Sequence, residues 1–360
     1  MVEHPLEFDL GFSSRTVAAY PVERRIEIVR MAEALGFARL WHSNEKFGRD
    51  MVASMTLSAT QTRTIKIGAA VADPYSVHPA LTASAIATVD EISGGRALVA
   101  MGAGGSGFPA MGIGRVKPAT AIREAIEIMR GMWRGETVTL KGKVIRIYGG
   151  RINFSARQDI PIFIATRGGA VLRMAGEVAD GVMIATMATP EGVSGAWNLV
   201  VEGTEKASRS PADLEVMSRV DCCVDPDQHR AREGVKLMIA FLLWSSYPDR
   251  SFVAQVGLKV PDELEALIAR REYELMDKAG HLVPEDFVDA FAWAGTPEEV
   301  ARKIGSVVNL GIRRVGCWVL PPPGGDLESV VKLLAEKVIP RVRERTATPR
   351  PAQSEPTAFR

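Results

Sequence analysis

Residues able to do chemistry recur where apolar runs give way to small and polar positions. These are Phe12-Ser13-Ser14, Trp41-His42-Ser43-Asn44-Glu45, Ala72-Asp73-Pro74-Tyr75, Gly102-Ala103-Gly104-Gly105-Ser106, Thr166-Arg167-Gly168-Gly169 and Thr186-Met187. Such a set suits a wide pocket for a large planar ligand better than a compact triad. Thr166 to Gly169 opens a helical stretch, so free backbone N–H groups, the helix dipole and Arg167 together would cradle a phosphate. An ordinary glycine-rich turn with a solvent-facing arginine reads the same residues equally simply. Glu45 is the acid expected to face the pocket and serve as proton donor, with a surface carboxylate paired to Lys46 or Arg49 as the plain alternative. His42 is the second catalytic candidate, against a packed histidine at the rim. No HExxH, GxSxG or Cys/His ligand spacing occurs, so neither a metal nor a serine nucleophile is expected.

The elements that would carry these groups follow from the hydrophobic period. Eight short apolar or β-branched runs read as strands: LEFDLGF, FARLWHS, KIGAAV, RALVAMG, IPIFIAT, DGVMIAT, LEVMSRVDCCV and RRVGCWVL. Helical stripes lie between them, as in Val22-Ile26-Val29-Ala32 and Ile122-Ile126-Met129-Trp133. Thr296-Pro297-Glu298-Glu299 reads as a helix cap, a first-position proline and an acidic first turn. Strand and helix alternating eight times predict an α/β fold, a (β/α)8 TIM barrel, whose active site sits where strands end. Strand interiors are expected to be apolar. Residues 137–154 alternate with period two about Gly142 and predict a β-hairpin insertion. Residues 247–293 predict a helical insertion after strand seven, without strands of its own. The expected domain is 1–345, with a polar, Pro-rich tail at 346–360 expected to be disordered. The run Gly102 to Gly107 fits GxGxxG, but it falls in the fourth unit rather than opening the fold, which argues against a dinucleotide-binding unit.

With 44 Lys and Arg against 43 Asp and Glu, the chain lacks the basic excess that nucleic acid or an anionic membrane surface demands. No charged start with an apolar run follows Met1, and no segment reaches about 18 consecutive apolar residues. Cys222, Cys223 and Cys317 are expected to be buried, reduced thiols of a cytoplasmic protein.

The stretch ADPYSVHPALTASAIATVDEISGGRALVAMGAG resembles the signature region of the bacterial-luciferase-like superfamily. Within it, PYSVHPALTASAIATVDEISGGRA is most similar to the branch containing the coenzyme F-420-dependent methylenetetrahydromethanopterin reductases. RVKPATAIREAIEIMRGMWRGETVTLKGKVIRI, IPIFIATRGGAVLRMAGEVADGVMIAT and DAFAWAGTPEEVARKI follow in family order, so the likeness runs from Phe8 to about Pro340. The resemblance implies a barrel with a deazaflavin, or FMN, over its mouth and two-electron chemistry at the ring. It places the ring-backing bulge, often with a non-proline cis peptide, at Ala70-Val71-Ala72, with Asp73 beside it. It assigns the cofactor's chain and phosphate to Gly104-Gly105-Ser106 and Arg167-Gly168-Gly169. It also implies a homodimer or larger homo-oligomer, with a small molecule as substrate.

Departures from the branch bear on the substrate. Gly11 stands where its first strand carries a glutamate, Asn44-Glu45 where an Asp-His pair is common, and Gly105 where an acid follows the fourth-strand glycines. Opening a methylene-pterin ring needs an acid, which leaves Glu45 and Asp73 as the nearby carboxyls. Three functions are thus expected in order: a coenzyme F-420-dependent oxidoreductase, an FMN-dependent luciferase-like monooxygenase, and a cofactor-binding protein without turnover.

Overall fold

The computed structural model describes residues 5–13, 15–105 and 107–347, so Ser14, Ser106 and the expected tail beyond 347 lie outside it. Each of the eight apolar runs carries a strand of one parallel ring. In chain order these are β1 (Glu7–Phe12), β2 (Arg39–His42), β3 (Lys66–Ala72), β4 (Ala97–Met101), then, after the hairpin β5 (Val138–Lys141) and β6 (Arg146–Gly150), β7 (Ile162–Thr166), β8 (Gly181–Ala185) and β9 (Glu215–Val224). A short β10 (Ala292–Gly295) precedes the last, β11 (Arg314–Val319). The order β9-β11-β1-β2-β3-β4-β7-β8 returns to β9, which closes a (β/α)8 barrel.

The chain divides into two compact units, one holding Gly11–Met183 with Val200–Glu215, the other Met1–Leu10, Ile184–Leu199 and Val216–Arg360. In the first, Trp41 stands edge-on to Phe163 with ring centroids 5.7 Å apart. A Cβ on Gly68 would come within 2.2 Å of the Trp41 ring, so only glycine lets the indole lie across β3. The helix Pro118–Trp133 buries Ile122, Ile126, Met129 and Trp133 along one stripe, and the Trp133 indole N–H donates to Ala83 O at 3.0 Å.

Two carboxylates fasten turns by their amides. One oxygen of Glu33 accepts the N–H groups of Arg63, Thr64 and Ile65 at 2.7–3.0 Å. Burial pushes the Glu33 pKa up, but these bonds outweigh it and bring it down to about 2. Glu124 likewise takes the amides of Lys143, Val144 and Ile145 at the tip of the β5–β6 hairpin. Gly142 is required there, since a Cβ would meet the Glu124 carboxyl carbon at 2.5 Å.

In the second unit, Thr296 and Glu299 form a capping box with Pro297 at the first helical position. The insertion is helical over Ser251–Gln255, Asp262–Ala269, Met276–Ala279 and Glu285–Phe291. It departs from expectation at its end, where Ala292–Gly295 pairs in parallel with Asp221–Val224. Four buried residues, two of them alanine, are too few to display a period, and Trp293 is fixed by an N–H bond to Ala188 O at 3.2 Å.

The apolar reading of strand interiors also needs correction. Asp9, fully buried on β1, pairs with Arg314 at 2.9 Å, and Arg314 also pairs with Glu7. Arg39 grips Glu215 through both carboxylate oxygens at 2.7 and 2.8 Å. On β9, Arg219 pairs with Asp221 at 3.0 Å and stacks over Trp318 at 4.5 Å. A run scored as apolar averages both faces of a strand and hides such alternate charges. The three cysteines are buried and free of disulfides; burial raises the Cys222 thiol and takes Cys223 up to about 12, so neither is a nucleophile.

Candidate active site

At the end of β3 the pairing with β4 slips by one residue. Ala70 opposes Ala100 and Ala72 opposes Met101, leaving Val71 as the extra residue of a bulge. The Ala70–Val71 peptide is cis. Val71 is partly exposed between buried Ala70 and Ala72. A Cβ on Gly102, at the end of β4, would approach Val71 Cγ2 to 2.9 Å, so the bulge and that glycine require each other.

Asp73 follows, nearly inaccessible and saturated. It accepts from Lys46 Nζ at 2.8 Å, from Ser76 Oγ at 2.7 Å, and from the amides of Tyr75 and Ser76. Burial opposes its charge, yet the bond from Lys46 and those from Ser76 hold its pKa below the ordinary value. It is therefore a fixed anion that joins the loops after β2 and β3. Gly104 takes φ +61 beside it, where a Cβ would sit 2.6 Å from the Phe108 ring and 3.0 Å from Asp73 Cβ. Gly105 follows at φ +148. Ser106 is outside the described residues.

Glu45 does not pair with Lys46 or Arg49. Its Oε1 accepts the Ser13 hydroxyl at 2.6 Å and its Oε2 the Arg15 amide at 2.9 Å, which ties the loop after β2 to the loop after β1. Arg49 instead donates to the carbonyls of Val17, Ala18 and Tyr20.

His42 is placed differently from expectation. Trp41 packs across β3 and β7, so alternation turns His42 the other way, onto the helix Met51–Gln61. There Nε2 lies 2.9 Å from Ser58 Oγ. Burial, and after it the charge of Arg25, takes its pKa down to about 3, so it is neutral at ordinary pH. Its backbone pairs with Ala69 next to the bulge, but its side chain is turned onto the helix and is not a charged acid there.

After β7, Gly168 precedes the helix Gly169–Val178, whose start no side chain caps. The Thr166 hydroxyl accepts the Gly168 amide at 3.1 Å, and a Cβ on Gly168 would find no atom nearer than 3.8 Å. Arg167 adjoins this helix start, where Gly168 leaves open space. Among the described residues no cluster of His, Cys, Asp and Glu could hold a metal, and no helix is long and apolar enough to cross a membrane.

Sequence reasoning singled out Glu45 and Asp73 but missed their partners. Ser13 was visible only as a strand-end residue. Lys46 was assigned to its neighbour rather than to Asp73, and the one available signal was an unmatched cation next to a loop that also needed one.

Comparison with known proteins fits this geometry. The chain is 31% identical to the 5,10-methylenetetrahydromethanopterin reductase of Methanolobus tindarius over 332 residues, which are 92% of this chain and all of that protein. It is 32% identical to the protein of that name from Methanopyrus kandleri over 335 residues, 88% of this chain and 94% of the other. The solved structure of the coenzyme F-420-dependent tetrahydromethanopterin reductase of Methanopyrus kandleri superposes with a TM-score of 0.80 at 28% identity, covering 94% of this chain and all of the other. The luciferase-like monooxygenase family matches residues 8–314, and this chain belongs to that family.

Proposed function

We propose that the chain is a coenzyme F-420-dependent oxidoreductase that transfers a hydride between the deazaflavin and a small organic substrate. The observation that carries this reading is the end-to-end similarity to the methanopterin reductases, at 31% identity over 92% of the chain. The residues present fit the cofactor: a bulge with one partly exposed apolar side chain to back a planar ring, and an uncapped helix start with open space for its phosphate. When bound, the deazaflavin supplies the two-electron donor or acceptor.

This chain's own part is to bind, orient and provide a proton. Ala70, Val71 and Ala72 give the ring a rigid apolar back. Gly104 and Gly105 bring backbone close without side-chain bulk, and Arg167 with the Gly169 amide holds the phosphate in the space that Gly168 leaves open. Proton supply falls to Glu45 with the Ser13 hydroxyl, because Asp73 is saturated and held ionised while His42 is neutral and turned away. The reading includes a homo-oligomer in the cytoplasm, which sedimentation of the purified chain checks.

The functional test is a parallel titration with coenzyme F-420 and FMN, followed by a turnover panel of carbonyls, imines and enones. Selective binding of the deazaflavin with reduction of one class is expected. Preference for FMN would replace this reading with the monooxygenase one, and deazaflavin binding without turnover would leave a binding protein.

A further inference from the structure

The wall that β9 and β11 turn to the inside of the barrel carries an arginine that the reading so far leaves unused. Phe8 lies under Arg343 of the last helix, Ile339–Ala347, with the guanidinium 6.0 Å from its ring. Alternation along β1 therefore turns Asp9 inward, and Arg314, its partner, faces inward with it. Gly316 and Trp318 share that face of β11. Arg219 and Asp221 oppose them in register on β9, so they face inward as well.

Arg219 reaches toward the strand ends. Its guanidinium lies over Trp318 at 4.5 Å, and its Nη2 is 3.0 Å from Asp221 Oδ1. Trp318 is the last residue but one of β11, and the Thr186 amide, just past β8, donates to Arg219 O at 2.6 Å. The guanidinium thus stands where a barrel does its chemistry. Asp221 and Trp318 are nearly inaccessible, whereas the Arg219 side chain is 16% exposed. Ala185, which ends β8 beside it, is half-buried and offers only a methyl group.

The donors of Arg219 are not used up. Arg314 hydrogen-bonds two carboxylates, Asp9 and Glu7, but Arg219 has Asp221 alone among the described residues. A guanidinium presents two forks of parallel N–H groups, Nε with Nη2 and Nη1 with Nη2. Asp221, at Nη2, occupies one fork at most, which leaves the other whole and able to converge on a single oxygen. A neutral oxygen suits it best, since a second carboxylate would be set against Asp221.

We propose that Arg219 binds the substrate and that the substrate is a ketone or aldehyde, whose carbonyl oxygen docks on the open fork. The inference rests on the hydride transfer proposed above and names its substrate class. As hydride passes from the reduced deazaflavin to the carbonyl carbon, the π pair of the C=O bond moves onto oxygen. The Arg219 N–H groups hold that negative charge, and the proton supplied as proposed above completes the alcohol. An imine reacts as its protonated iminium, which has no lone pair for these donors. Asp221 and Trp318 are positioning residues that fix the guanidinium from its edge and its face.

The test has a cofactor-free arm and a turnover arm, both on the full chain. Without cofactor, the guanidinium nitrogen resonances of Arg219, identified by their loss in Arg219→Lys, should shift on titration with pyrrolidone. That carbonyl is not reduced by hydride, and pyrrolidine, a cation at neutral pH, should leave the resonances still. With reduced coenzyme F-420, cyclohexanone or benzaldehyde should be turned over and pyrroline, an imine, should not. Arg219→Met should lower carbonyl kcat/KM about 100- to 1,000-fold with deazaflavin affinity unchanged, and Arg219→Lys should regain part of it. Resonances that pyrrolidone does not move overturn the assignment, whatever the variants do. Equal shifts with pyrrolidine, turnover of pyrroline in preference to the carbonyls, or unchanged carbonyl turnover in a folded Arg219→Met overturn it as well. A chain that does not bind coenzyme F-420 overturns the functional reading instead, and the pyrrolidone shift then decides the carbonyl site by itself.

Discussion

His42 offers the sharpest quantitative test of the packing around β2. Its ordinary pKa is 6.5 and burial takes it down to about 3, so between those values the unfolded chain binds a proton that the native chain refuses. Stability is therefore complete above about pH 6.5 and is lost as the pH falls toward 3. Each pH unit in that window is worth about 1.4 kcal/mol, so from neutrality down to about pH 4.5 this group removes roughly 2.7 kcal/mol. His42→Gln abolishes the titration while keeping a side-chain amide near Ser58. Urea unfolding of both proteins at about pH 7.5 and about pH 4.5 cancels every other titrating group. The variant should be the less stable protein at the higher pH, and the gap should close or reverse by roughly 2.7 kcal/mol at the lower one. A gap that stays constant with pH would show that His42 is not held neutral, and the burial argument would fall.

Further expectations concern the barrel and its mouth. Gly68→Ala forces a methyl into the Trp41 ring and should cost about 3 kcal/mol, read as a lowered thermal midpoint. Lys46→Met leaves Asp73 a buried anion without its cation, and chemical unfolding should show a loss of about 3–5 kcal/mol. Arg167→Ala should weaken coenzyme F-420 by about 1.5–3 kcal/mol in a binding titration; normal affinity would move the phosphate elsewhere. Glu45→Gln should slow single-turnover hydride transfer by about 100- to 10,000-fold with cofactor affinity retained, and an unchanged rate would remove Glu45 from the proton path.

The strands of the ring were legible because each is a short run bounded by turn residues, and periodicity of that kind survives in a single sequence. The bulge at Ala70–Ala72 was accessible only through family resemblance, since nothing in three small residues signals a register slip or a cis bond. His42 shows how a correct strand yields a wrong side. With Trp41 crossing the barrel, two-residue alternation dictates that its neighbour faces the helices, but reading the strand end as one rim overlooked it. The Lys46–Asp73 pair joins residues 27 apart and the Arg314–Asp9 pair residues 305 apart, and no local pattern announces a contact of that reach. Arg25 and Ser54 stand 29 positions apart on two helices, and their hydrogen bond likewise leaves no local mark in the sequence.

The clamps made by Glu33 and Glu124 have a consequence for how freely this chain can vary. Both carboxylates recognise main-chain N–H groups, at 63–65 and at 143–145, and every amino acid except proline supplies that group. The clamps themselves therefore require only that proline be absent and that Gly142 keep room for the Glu124 carboxyl, while burial still holds Ile65 and Ile145 apolar and the Thr64 hydroxyl adds its own bond to Glu33. The exposed Lys143 and the half-buried Val144 can drift without loosening the hairpin's attachment, whereas a single change at Glu124 would release three amides at once. Diversity is tolerated in the segments that are held, and constraint is concentrated in the two residues that hold them.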